Sequence, residues 1–214
     1  MTLPHQEQVH ALDPAFGRMA TEVGLHAWSL RQLTMREKAF VFLAADLSTA
    51  SLGFPLAAHV QMAGANGVGM PECIAAIRHL APYVGYPAAA VALQQLRTDD
   101  SAGKRRSVGV QRQTLPEHVF ATLNALDEDF AAFVAEQFNQ RWNGDDDELS
   151  ARERALSCLA TDVLNQTLDE SFALHVHLAT ASGAGREQIN AVFLLVAEYG
   201  IAKAWRAYRA LEDL

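Results

Sequence analysis

The strongest constraint on this chain is that it contains one pattern twice. Residues 33–67 align without a gap on residues 149–183, a shift of 116, and fourteen of those 35 positions are identical. Arg36/Arg152, Glu37/Glu153, Asp46/Asp162, His59/His175 and Gly67/Gly183 are among them. Downstream the shift becomes 115, pairing Ile74 with Ile189 and Gly85 with Gly200; upstream it is 114, pairing Asp13 with Asp127 and Trp28 with Trp142. Whatever unit the first copy builds, the second must build as well. The expected organisation is a first repeat over 1–97, a linker over 98–114 and a second repeat over 115–214. The segment from Arg97 to Thr114 drops the apolar periodicity and gathers five Lys or Arg, which reads as a solvated connection.

Both copies favour helix throughout, and no stretch alternates with period two long enough to propose a sheet, so the fold class is all-α. Thr34-x-x-Glu37 and Ser150-x-x-Glu153 are capping boxes: the hydroxyl accepts from a backbone amide and the glutamate returns the bond, which starts a helix at the same point of each repeat. These helices are expected to run to about Ser51 and Thr167. A second helix carries the histidine, from about Pro55 to Asn66 or Ser171 to Ser182, and stops at Gly67 or Gly183, where positive φ is easily adopted. Pro71 suits the first turn of a third helix ending near Gly85, and Pro87 opens a fourth. In the second repeat the third helix, expected over Ile189–Tyr199, is apolar nearly all round. It therefore needs cover on more than one side, from the other repeat or from another chain. Two copies in one chain imitate a homodimer, so a pseudo-two-fold axis is expected between them.

Half the residues are apolar, enough for a substantial core, and the net charge is −8. That charge argues against a nucleic-acid groove, which needs clustered cations, and against anionic membranes. The longest strongly apolar run, Ala191 to Ala197, is too short to span a bilayer, and Met1 to His10 has no leader pattern, which leads to the expectation of a cytoplasmic protein. Cys73 and Cys158 occupy unrelated positions of the two repeats, form no CxxC, and read as core residues.

The residues with chemistry are the paired aspartates and histidines. Asp46 and His59, like Asp162 and His175, are thirteen residues apart, seven before and six after the turn of a helical hairpin, so each pair should face across it. An aspartate on one imidazole nitrogen fixes the tautomer and raises basicity, leaving the other nitrogen for proton transfer. A structural reading stands beside this one: both histidines lie on apolar helical faces, and a buried imidazole needs a partner for its N–H. His79 and His177 have Leu194 and Gln61 as counterparts; a surface role is expected for each, with the lining of one site as the alternative. Neither HxxxH nor HExxH occurs, so no metal site is expected, and no cofactor-binding loop is present.

The segment from Arg36 to Leu93, with its Arg-Glu helix start, histidine followed four residues on by alanine, Asn-Gly turn and Tyr83-x-Gly-x-Pro-Ala-Ala89 ending, resembles the carboxymuconolactone decarboxylase family, which includes the alkyl hydroperoxidase D group. The segment from Arg152 to Gly200 resembles it more loosely. The resemblance implies an alkyl hydroperoxidase D-like helical fold in two tandem repeats, and a trimer with a pseudo-hexameric arrangement. It also implies a cofactor-independent lyase or isomerase acting on a small carboxylated or lactone-like molecule. His59, Asp46, His175 and Asp162 are the candidate catalytic residues; Arg36, Arg152 and Tyr83 are the candidate substrate-binding residues. The peroxidase branch uses two thiols seven and four residues before the histidine and a glutamate nineteen before it. Here those positions hold Leu52, Pro55 and Phe40, or Leu168, Ser171 and Leu156, so an antioxidant role is the weaker alternative. A non-catalytic oligomeric binding module is the third.

Overall fold

A computed structural model describes residues 3–96, 107–109, 112–143 and 148–214. The first repeat comprises α1 (Gln6–Leu12), α2 (Pro14–Ser29), α3 (Met35–Ser48), α4 (Phe54–Ala65), α5 (Met70–Val84) and α6 (Tyr86–Leu96). The second comprises α7 (Glu117–Leu126), α8 (Glu128–Trp142), α9 (Ala151–Asn165), α10 (Glu170–Ala181), α11 (Arg186–Val196), a single 3₁₀ turn (Ala197–Tyr199) and α12 (Ile201–Glu212). No strand occurs among the described residues, and the linker lies largely outside them.

The helix starts fall where the capping chemistry puts them. Thr34 and Ser150 accept from the amides of Glu37 and Glu153, and both glutamates bond back. Gly67 and Gly183 close α4 and α10 at φ +81° and +85°, a backbone conformation that costs a side-chain-bearing residue energy. Helices α3 and α9 stop slightly short of their expected ends, at Ser48 and Asn165. Both boundaries of the apolar helix of the second repeat also differ from the sequence expectation, since it starts earlier, at Arg186, and its α-helical form ends at Val196. The last turn tightens to 3₁₀ geometry before Gly200, which takes φ +154°. The short helices α1 and α7 were not expected from the pattern, and neither buries a residue.

The centre of the molecule is the contact of α3 with α9, the most extensive between any two elements. Both are buried on all sides, including Phe40, Phe42 and Leu43 on α3 and Leu156, Cys158 and Leu159 on α9. Helix α11 packs on both, as a helix without a polar face must.

Two reciprocal ion pairs cross this interface. Arg36 Nε donates to Glu153 Oε1 at 2.8 Å, and Arg152 Nε donates to Glu37 Oε1 at 2.6 Å. The second oxygen of each glutamate closes its own capping box, at 2.7 Å to Thr34 N and 2.8 Å to Ser150 N. One carboxylate thus starts a helix and fastens it to the other repeat. Arg36 also pairs with the fully buried Glu72. This is the self-complementary exchange expected of a two-fold interface, realised within one chain.

Candidate active site

The hairpin between α3 and α4 brings Asp46 and His59 together. His59 Nδ1 lies 2.7 Å from Asp46 Oδ2, and Tyr199 donates its hydroxyl to Asp46 Oδ1 at 2.8 Å. Asp46 is fully buried, and a carboxylate has no proton to give, so His59 carries its hydrogen on Nδ1 and leaves Nε2 for a ligand. The imidazole face stacks on Phe42 at 4.3 Å between centroids, and Phe42 stacks on Trp28 at 5.0 Å.

His59 lines a cavity of about 470 Å³, within the size range of small-molecule sites. Trp28, Phe42, Met62 and Phe54 supply much of its apolar wall; Tyr199 and Glu198 come from the second repeat. Glu198 remains exposed on one side, yet the protein crowding its carboxyl raises it to about 7, with the charge of Asp46 adding to the rise and His59 opposing it. Leu3, Pro4, Gln6 and Val9 form the outer wall, so the N-terminal segment roofs the cavity.

That roof is built by two glycines seven residues apart on α2. A Cβ at Gly17 would lie 2.6 Å from the His10 backbone, and one at Gly24 would lie 2.8 Å from the end of the Leu3 side chain. Both let the chain before α2 lie against it.

The second pair has the same core geometry and different surroundings. His175 Nδ1 lies 2.6 Å from Asp162 Oδ2, while Ser171 and Thr167 donate to Asp162 Oδ1 at 2.8 and 3.0 Å. His175 is only 1 % exposed; its Nε2 makes no bond to nitrogen or oxygen and has the Cys158 thiol as its neighbour. Burial is the largest single influence and would lower its pKa, but the Asp162 charge, the neighbouring Cys158 and the hydrogen bonding to both together lift it to about 10.

What fills the second site is readable from the repeat. Position 24 is glycine in the first copy and Phe138 in the second, and Phe138, buried, stacks on Trp142 at 5.5 Å. Position 42 is phenylalanine in the first copy and Cys158 in the second. Into the volume this leaves comes His79 of the first repeat, its Nε2 3.3 Å from Cys158 Sγ. His79 is therefore not a surface residue: it is 1 % exposed, and burial, followed by the charge of Arg154, holds its pKa well below the usual value. His177 is exposed, as expected.

Of the other expected site residues, Tyr83 lies edge-on to His175 at 5.1 Å and accepts from Trp142 Nε1 at 2.8 Å, in the filled site. Arg36 and Arg152 are the inter-repeat fasteners and do not line the cavity. Glu198 and Tyr199 were missed. They correspond to Tyr83 and Val84 in the repeat alignment, so no shared pattern marked them; the one available signal was a Glu-Tyr pair ending an otherwise apolar helix. Both cysteines are buried, and burial pushes the Cys73 thiol up to about 12 and raises Cys158. Among the described residues no group of His, Cys, Asp or Glu has the arrangement of a metal site. No described helix is long and apolar enough to cross a membrane.

Two helical repeats exchanging ion pairs across a pseudo-two-fold, each with an Asp–His pair on a helical hairpin, define a tandem all-α protein of one recognisable class. The chain belongs to the carboxymuconolactone decarboxylase family, whose model matches residues 14–98 and again 128–213. It is similar in fold to a crystal structure from Burkholderia xenovorans LB400 of a protein named provisionally as a gamma-carboxymuconolactone decarboxylase subunit. That likeness has 21 % identity and a TM-score of 0.58 and covers 99 % of this chain and 90 % of the other. No curated protein matches the sequence.

Proposed function

We propose that the chain is a cofactor-independent acid–base enzyme of the lyase or isomerase type, working at Asp46 and His59 on a small lactone-like or carboxylated molecule. The observation that carries this reading is a carboxylate-oriented imidazole opening onto a cavity of small-molecule size. His59 Nε2 takes a proton from carbon next to a carbonyl. Asp46, held by Tyr199, stabilises the imidazolium that forms, and Phe42 offers its face to the same cation. Glu198, poised near neutrality, is placed to give a proton to the developing enolate oxygen and to take it back. The Asp162–His175 pair has a structural role in this reading, because it lies sealed behind Phe138 and Trp142.

The test is deuterium exchange next to the carbonyl of small lactones in D₂O, followed by proton NMR. Exchange above the buffer rate that disappears in His59→Gln and survives in His175→Gln is the expected result. No exchange on any lactone, or exchange that His59→Gln leaves intact, would sink the proposal. The antioxidant alternative needs a thiolate that two buried, raised thiols do not favour.

We also propose self-association. Leu12, Phe16, Met19 and Val23 on one repeat, and Leu126, Phe130 and Phe133 at corresponding positions on the other, form exposed apolar stripes. A second copy would cover them and, through Phe16, Met19 and Val23, complete the outer wall of the cavity. The provisional name of the Burkholderia relative, a subunit, agrees with a homo-oligomer such as a trimer of six pseudo-equivalent units. Light scattering after size exclusion measures this directly; a monomer at high micromolar concentration would refute it.

A further inference from the structure

We infer that the cavity at His59 selects electrically neutral molecules, an apolar body bearing one carbonyl group, and rejects carboxylates. The inference narrows the substrate class of the acid–base reading and rests on that reading only for where the carbonyl sits.

The charges around the cavity are unbalanced against an anion. Among the described residues, no lysine or arginine lines it. The ionisable groups that do are His59, Glu198 and Tyr199; burial keeps the Tyr199 phenol protonated, its hydroxyl is committed to Asp46, and His59 is already paired with the buried carboxylate of the same aspartate. An incoming carboxylate would shed its water, find the one basic side chain of the described lining, His59, already bonded to Asp46, and face the carboxyl of Glu198. The cations that the sequence offered for such a group are committed elsewhere: Arg36 to Glu72 and Glu153, Arg152 to Glu37. Moving either would leave a buried glutamate without its partner.

The rest of the wall suits an uncharged guest. Trp28, Phe42, Phe54, Met19 and Met62 offer apolar and polarisable surface that stabilises hydrocarbon in proportion to the area covered. A carbonyl needs one donor, which protonated Glu198 supplies, and a neighbouring base, which His59 supplies. An ammonium would shed its water against a mostly apolar wall whose only carboxyl among the described residues, Glu198, is held at about 7 and is therefore only partly ionised at neutral pH.

The test uses the full chain at neutral pH and three probes of equal chain length, γ-nonalactone, sodium nonanoate and nonylamine, titrated by calorimetry. The lactone is expected to bind at least about ten-fold more tightly than either charged probe. In Glu198→Gln, the affinity for nonanoate relative to that for the lactone should rise several-fold, because the amide can still donate to a carbonyl and no longer opposes a carboxylate, a charge effect that altered packing would not produce. Ala58→Phe, which puts a ring into the cavity from the residue before His59, should remove lactone binding. Absence of lactone binding, binding of nonanoate or nonylamine as tight as the lactone's, or lactone binding unaffected by Ala58→Phe each overturns the inference. Lactone binding with no proton exchange would leave the inference standing and remove the acid–base reading alone.

Discussion

Tyr199 of the second repeat donates its hydroxyl to Oδ1 of Asp46 in the first, 2.8 Å away, on the carboxylate whose other oxygen holds His59. The orientation of the imidazole is therefore set across the repeat boundary. In the second site the same oxygen of Asp162 is held by Ser171 and Thr167 from its own repeat. A donor that comes from a distant element couples the site to the packing of α11 on α3.

Removing that donor has a defined cost. Tyr199→Phe keeps the ring and leaves one oxygen of a fully buried carboxylate unpaired, which should destabilise the fold by about 1–3 kcal/mol in denaturant titration. Because His59 loses part of its fixed orientation, the proton-exchange rate should fall as well. An unchanged midpoint together with an unchanged rate would show that the hydroxyl has no role.

The reciprocal fasteners are equivalent by pattern and unequal by environment. Arg36 pairs with Glu72, whose side chain is fully buried, whereas Arg152 is 27 % exposed and pairs with one glutamate. Arg36→Met, which strands Glu72 and Glu153 together, should therefore cost about 3–5 kcal/mol, the range for stranding a buried charge, and Arg152→Met, which strands Glu37 alone, should cost less. Equal losses in parallel unfolding titrations would contradict this.

The two buried histidines respond to pH with opposite signs. His175, raised to about 10 in the folded chain, contributes stability that is complete below its ordinary value of 6.5 and is lost as pH rises through about 10. His79, depressed by burial, contributes stability present above 6.5 and lost as pH falls towards its folded value, because only the unfolded chain takes up the proton. Comparing stability against pH for wild type, His175→Gln and His79→Gln separates the two: the first variant should flatten the alkaline side and the second the acid side.

Gly17 and Phe138 test how the two sites came to differ in access. Gly17→Ala places a methyl against the backbone of His10, which cannot move without lifting α1, so the N-terminal segment should become more open to proteolysis at a cost of about 1–3 kcal/mol. Gly24→Ala meets only the flexible end of Leu3 and should cost less. Phe138→Ala removes a buried ring stacked on Trp142 and should cost about 3–5 kcal/mol, the range for large-to-small core changes.

How much of this was legible beforehand divides by sequence distance. The capping boxes at Thr34 and Ser150 and the glycines at 67 and 183 fixed the helix ends locally, and nearly equal arms about the turn between α3 and α4 placed Asp46 opposite His59. Those relationships need only helical geometry and short separations. Glu198 and Tyr199 reach Asp46 and His59 from some 150 residues away, through the packing of α11 on α3, and no periodicity encodes that. His79 was misplaced for the same reason: the neighbour that buries it, α9, belongs to the other repeat. The difference in access between the sites hung on two aligned pairs, Gly24 with Phe138 and Phe42 with Cys158, whose meaning depends on what each faces.

The replacement of Gly24 by Phe138 has a consequence for stoichiometry. A chain with two matching Asp–His pairs invites the expectation of two equivalents of ligand, but one pair has been converted into core. Saturation should come at one molecule per chain. In a trimer of such chains the sites would alternate, open and filled, around a ring that looks six-fold in its helices and is only three-fold in its chemistry.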